Sequence, residues 1–145
     1  MKYTDLIQLY FERTTALQNY WTLYVVIVGG LLAFSSLGKQ PAALSTLIVS
    51  ILFGLFAYEN LDAIKATATQ RHATLAAIKQ SDAGSTAEIK PVRDLLEPTL
   101  KPASLGSTQT THLISDILTI AGLWVMELRR RKNAVVAAVV AQPFP

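Results

Sequence analysis

Apolar side chains fall in three blocks along the chain, with polar sequence between them. The first block, Trp21 to Leu37, runs 17 residues without a charge. At 1.5 Å rise per residue it makes about 25 Å of helix, the short edge of what crosses a hydrocarbon core. Tyr20, Trp21 and Tyr24 cluster at one end, where aromatic rings sit at headgroup level. The second block, Ala42 to Tyr58, is also 17 residues and ends on an aromatic. Only Gly38-Lys39-Gln40-Pro41 separates the two, a polar turn with two helix breakers. The pair predicts a tight helical hairpin across a bilayer. Burial in a soluble bundle would require a polar face, and neither block has a charge to supply one.

The third block, Leu113 to Leu128, contains Asp116 and Glu127, so only Ile117 to Met126 is strictly uncharged. That stretch alone is too short to span. Both acids are placed to snorkel toward water, and Arg129-Arg130-Arg131-Lys132 follows at once as a stop signal. The expectation is a third span over 112–128, the alternative being a helix lying in the interface.

The pattern continues outside the blocks. Leu61, Ile64, Ala68, Leu75 and Ile78 mark one helical stripe, with Arg71 at the missing position. Leu6, Tyr10, Leu17 and Tyr20 keep the same rhythm from Tyr3 onward, with Arg13 at the gap. The four-residue turn sends both segments out on the same side, antiparallel, so the stripes are expected to pack together. The alternative for residues 1–20 is an amphipathic helix on the lipid surface. Beyond them, Asp82-Ala83-Gly84-Ser85 reads as a helix stop and Ser85 to Glu88 has capping-box spacing. Pro91, Pro98 and Pro102 leave a short helical turn near Val92 to Glu97 and an irregular return.

Small residues add a packing argument. Ala42, Thr46, Ser50 and Gly54 recur every fourth position in the second block, Gly29 and Ala33 in the first, Ser115 and Thr119 in the third. In lipid such spacing lets helix backbones approach closely. The fold class expected is therefore an all-α integral membrane protein, with three transmembrane helices and an extramembrane antiparallel helical hairpin. Its parts are an amphipathic helix over 1–20, a transmembrane hairpin over 21–58 (spans 21–37 and 42–58), a helix and Pro-containing return over 59–111, the third span over 112–128, and a tail over 129–145. The tail holds an Ala/Val run, Ala134 to Ala141, that is too short to span.

Composition agrees. The chain has 145 residues, 51% of them hydrophobic and 16% charged, against roughly 25% charged in a soluble domain. Its mean hydropathy is +0.35. It has no cysteine, which excludes disulfides, thiolate chemistry and Cys-based zinc sites. Lys2 is followed by Asp5, Glu12 and Arg13 and the apolar run comes late, so the first block reads as an uncleaved anchor rather than a secretory signal.

Charge sets the orientation. Residues 1–20 and 59–112 are each neutral, whereas Lys39 and the Arg129, Arg130, Arg131, Lys132 cluster place five cations on the other side. Dispersed cations count less than those touching a span end. The C-terminus is expected to be cytoplasmic, in a plasma or bacterial inner membrane.

Motifs for phosphate loops, nucleophile elbows and zinc proteases do not occur. No catalytic, cofactor-binding or metal residue is expected. His112 and Asp116, four apart, share a helix face and make the one candidate metal or proton site; the plainer reading puts the acid at the positive end of its helix. His72 beside Arg71 is expected to be solvated. Glu59 and Asn60 read as an interfacial cap, with an ion pathway as the sharper alternative. The basic cluster suits anionic headgroups, and four cations without interleaved aromatics make a poor nucleic-acid footprint. The expected role is a non-enzymatic interaction protein, either a homo-oligomer or an accessory subunit of a larger membrane complex, with the lipid bilayer as its surroundings. The alternative is a pore former with Thr46 and Ser50 facing a lumen. In architecture alone, three spans with a basic tail resemble some phage holins. The 53 residues from Glu59 to Thr111 are long for that resemblance.

Overall fold

The computed structural model describes residues 2–81 and 90–140. Every regular element among them is helical: α1 (Tyr3–Leu37), α2 (Ala43–Gln80), α3 (Lys90–Leu96) with a 3-10 turn after it (Glu97–Thr99), and α4 (Leu105–Val140). Three of these, α1, α2 and α4, are long and apolar enough to cross a membrane. The helix stop at Gly84, the Ser85 to Glu88 spacing and the last residue of the Ala/Val run, Ala141, lie outside the described residues.

Local chemistry explains the ends. The Lys2 backbone N–H donates to the Asp5 carboxylate at 3.0 Å, the reciprocal half of a capping box, and starts α1. Pro41 stops any helix from running through the turn. Ser104 Oγ accepts from the Ser107 N–H at 3.2 Å and caps α4. That cap begins α4 at Leu105, seven residues before the expected start at 112, so the polar stretch through Thr111 is helical. At its other end α4 takes in the basic cluster and the Ala/Val run up to Val140. Pro91 falls in the first turn of α3, where its missing N–H costs nothing.

The chain divides into two compact units, one made of Met1–Thr22 with Leu61–Thr110, the other of Leu23–Asn60 with Thr111–Pro145. In the first unit Leu6, Tyr10, Leu75, Ile78 and Leu100 form a core, with Tyr3, Ile7, Ala77 and Leu96 packed against it. Ile64 and Ile78 are fully buried and Leu61 is buried, while Leu17 is half-buried. Leu100 comes from the return segment, so the two stripes do not close on each other alone.

The gap at Arg71 in the second stripe is filled by a contact with Tyr10. The Arg71 guanidinium lies over the Tyr10 ring, 5.3 Å from its centroid, and its Nε donates to the Tyr10 hydroxyl at 3.3 Å. Arg71 therefore meets an aromatic ring at the position where it interrupts the apolar stripe. His72 is not simply solvated either: its Nε2 donates to the Ala103 carbonyl at 3.1 Å, tying the return segment to α2.

The second unit has a thin interior of Tyr24, Phe53, Ala57 and Leu123 with the small polar residues Ser35, Thr46, Ser50 and Thr119. Ser50 and Thr119 satisfy their hydroxyls on their own helices, donating to the carbonyls of Thr46 (2.8 Å) and Ser115 (2.7 Å). Around this interior the large apolar side chains point outward, among them Val26, Phe34, Leu44, Leu55, Ile117 and Val125.

Candidate functional site

Two polar clusters stand at opposite ends of the second unit. The first joins all three long helices. His112, about two turns into α4, is completely buried. Its Nδ1 faces the Asp116 carboxylate at 2.9 Å, and its Nε2 faces Asn60 Oδ1 of α2 at 3.1 Å. The Tyr24 hydroxyl of α1 donates to the other Asp116 oxygen at 2.8 Å. The Tyr24 ring packs on the imidazole with centroids 4.3 Å apart. Phe53 and Phe56 line the far side of Tyr24 at 6.3 and 6.5 Å.

The hydrogen-bond logic is specific. With Asn60 Oδ1 toward the ring, both imidazole nitrogens face acceptors and both must carry protons, which makes an ion pair with Asp116. With the Asn60 amide turned, its NH₂ donates to Nε2 and a neutral histidine is satisfied equally well. The cluster closes in either protonation state, and Asp116 accepts from Tyr24 in both. A histidine held this way is engaged at both nitrogens and connects α4 to α2.

The second cluster surrounds Glu127. This residue, expected to reach toward water, is instead fully buried. Its carboxylate accepts from the Ala42 backbone N–H at 3.0 and 3.2 Å, at the point where α2 begins. A carboxylate there meets both an unpaired donor and the positive end of the helix dipole. Arg130 and Arg131 pair with the same carboxylate at 3.1 and 2.9 Å. Arg130 also points toward the Ser35 carbonyl and the Thr46 hydroxyl, both at 3.4 Å. The Arg130 guanidinium lies directly against Gly38, where an added Cβ would push the end of the arginine side chain aside.

The residues singled out by pattern fall as follows. In α2, Thr46 and Ser50 are buried and Gly54 is half-buried, with nothing within 4 Å of a Cβ placed on Gly54; Ala42, just before the helix, is half-buried. In α1, Gly29 and Ala33 are exposed, and nothing lies within 4 Å of a Cβ placed on Gly29. The close approach between α1 and α4 is made by Gly122, where a Cβ would sit 3.3 Å from Leu32 Cδ2. Of the basic cluster, Arg130 and Arg131 are bound to Glu127, while Arg129, Lys132 and Lys39 are exposed. Sequence spacing alone joins His112 to Asp116. Asn60 and Tyr24 join them through topology: the short turn returns the end of the second block to the start of the first. Among the described residues no group of three or more His, Asp or Glu is arranged to hold a metal ion. Comparison of the chain with protein-family models, with curated proteins and with solved structures finds no match.

Proposed function

We propose that this is a non-enzymatic multi-pass membrane protein that acts by association, as a homo-oligomer or as an accessory subunit of a larger membrane complex. Its three long helices cross the bilayer, and residues 1–20 and 59–80 form an antiparallel helical hairpin outside it. Helix length supports this. At 35, 38 and 36 residues the three helices measure about 52–57 Å, some 20 Å more than the roughly 30 Å hydrocarbon core. The surplus in α1 and α2 is the charged, striped sequence that packs in water. The buried polar clusters lie near the ends of the spans, where the cost of polar groups is lowest.

The observation that carries association is the end of α4. Past the basic cluster, Val135, Val136, Val139 and Val140 are all exposed and fall on one face of the helix. A valine face beyond a cationic stop is wasted in water and too short to span. It fits the same face of a second copy, or a helix of a partner subunit. The chain lacks cysteine, so Val136→Cys gives a single reactive site. Oxidation in native membranes is expected to produce a disulfide-linked dimer, or a bifunctional crosslinker an adduct with one partner. A chain that stays monomeric under both treatments, with Val136→Asp leaving its size in mild detergent unchanged, overturns the reading.

Lys39 and the basic cluster, close to the span ends, support a cytoplasmic C-terminus. An impermeant maleimide on intact cells should label Gln80→Cys and spare Ala138→Cys; the reverse pattern inverts the topology. The pore-forming alternative draws its lumen from Thr46 and Ser50. Both are buried inside a single chain with Ser50 bonded to its own helix, so geometry lends that alternative no support.

A further inference from the structure

We propose that the groove beside the Gly38–Ala42 turn holds one anionic phospholipid, with its phosphate at Arg130, Lys39 and Arg129 and an acyl chain along Leu31, Phe34 and Val49. The proposal rests on the membrane reading above. Two adjoining cavities occupy this end of the second unit. One, of about 500 Å³, is walled mainly by apolar side chains, including Leu31, Phe34, Val49 and Leu123. The other, of about 440 Å³, is polar, with Ser36, Arg129 and Asn133 on its walls. They share Ser35, Gly38, Lys39 and Arg130. Each is the size of an ordinary small-ligand site.

Arg130 stands in the shared wall with hydrogen-bonding capacity to spare. Its Nε is buried and has no partner. Its contacts with Ser35 and Thr46 are both 3.4 Å, beyond the usual range for such bonds. A buried donor left unpaired is costly, and a charged acceptor is its strongest complement. Three cations line the two cavities and no carboxylate does; Glu127, behind the wall, accepts from the Ala42 N–H and pairs with Arg131 and with one Arg130 nitrogen at 3.1 Å, leaving Lys39, Arg129 and the Arg130 Nε for the phosphate. A phosphate with hydrocarbon attached fits both halves, whereas a free phosphate fits only the polar one. A zwitterionic lipid would set its own cation among Lys39, Arg129 and Arg130, which selects an anionic headgroup.

The test uses the full chain, purified from membranes in mild detergent and offered phosphatidylglycerol or phosphatidylcholine, with bound lipid counted by native mass spectrometry. Lys39 and Arg129 are exposed, so Lys39→Gln with Arg129→Gln spares the fold. Each such cation near an anionic headgroup contributes about fivefold in binding, and the pair roughly 30-fold. One phosphatidylglycerol per chain is expected to be retained in preference to phosphatidylcholine, with that preference lost by about this factor in the double variant. Val49→Trp, which fills the apolar half, should expel the lipid while leaving helix content unchanged. Equal retention of both lipids, or an unaltered preference in both variants, overturns the proposal. So does full displacement by inorganic phosphate, which would mark a phosphate site instead. Alkaline carbonate treatment of the same membranes separates the two levels: release of the chain defeats the membrane reading, while retention without lipid preference defeats this inference alone.

Discussion

Replacing Asp116 with alanine removes the acceptor on which α1 and α4 meet. Two bonds are lost, the Tyr24 hydroxyl at 2.8 Å and His112 Nδ1 at 2.9 Å. In soluble proteins a hydrogen bond to a charged group contributes about 1.5–3 kcal/mol. Between membrane helices the average is nearer 0.6 kcal/mol and the maximum about 1.7, because separated helices find other partners. On the membrane reading the lower scale applies to Tyr24→Phe, which takes the donor from one Asp116 oxygen while the other keeps His112: about 1 kcal/mol. Asp116→Ala also takes the acceptor from the fully buried His112, so its cost rises to about 2–3 kcal/mol. In the double variant the Tyr24–Asp116 bond is already absent. That variant should be no less stable than Asp116→Ala, a coupling of about 1 kcal/mol and well above the scatter of independent sites. Unfolding by SDS in mixed micelles, followed by the fluorescence of Trp21 and Trp124, measures all four states. If the two single losses add within about 0.5 kcal/mol, Tyr24 and Asp116 do not interact and the cluster is wrongly drawn.

In the first unit, Ile78→Ala should cost about 2–5 kcal/mol by opening a cavity at a fully buried site, and thermal melting in detergent that leaves the variant unchanged would remove the packed core. Arg71→Leu should cost about 1–2 kcal/mol through loss of the stacked, hydrogen-bonded guanidinium on Tyr10; an unchanged or stabilised variant would mean that this contact holds nothing together. The Tyr3 hydroxyl is pushed above its ordinary value by burial first and by the Glu97 carboxylate second. A phenol raised on folding holds its proton more tightly in the folded state, so its contribution is complete below about pH 10 and is lost as pH rises through the folded value. Melting curves at rising alkaline pH should therefore fall more steeply for the wild type than for Tyr3→Phe, and parallel curves would contradict the assignment.

How much of this was legible depended on whether a signal was local. Periodicity over 17-residue blocks and over the Leu61 to Ile78 stripe is local, and it corresponds to the long helices α1 and α2 and to the buried face of Ile64, Leu75 and Ile78. The full length of α4 was less visible. Its N-cap, Ser104, precedes a polar stretch with no apolar rhythm, and a helix through Gly106–Thr111 leaves no periodic trace. The polar clusters divide the same way. His112 and Asp116 are four apart on one helix, whereas Asn60 lies 52 residues from its histidine partner. Glu127 looked like an acid bound for water because three arginines follow it. Only the return of the Gly38–Ala42 turn to α4 reveals that it caps α2. Gly29 and Ala33 show the limit of pattern reading, since small residues at helical spacing mark a face that can pack without saying against what. Gly122, with no such spacing, makes the close contact instead.

Protection of exposed apolar surface tests membrane insertion most directly. Val26, Leu52 and Ile117 are 62%, 59% and 67% exposed, so none of the described residues covers them, and on the membrane reading lipid does. Single cysteines at these positions, in native membranes treated with a water-soluble maleimide, should stay unlabelled until detergent is added, while Gln80→Cys reacts at once on the open side. Labelling of all three at the rate of Gln80→Cys, without detergent, would mean that these helices face water and do not cross a bilayer.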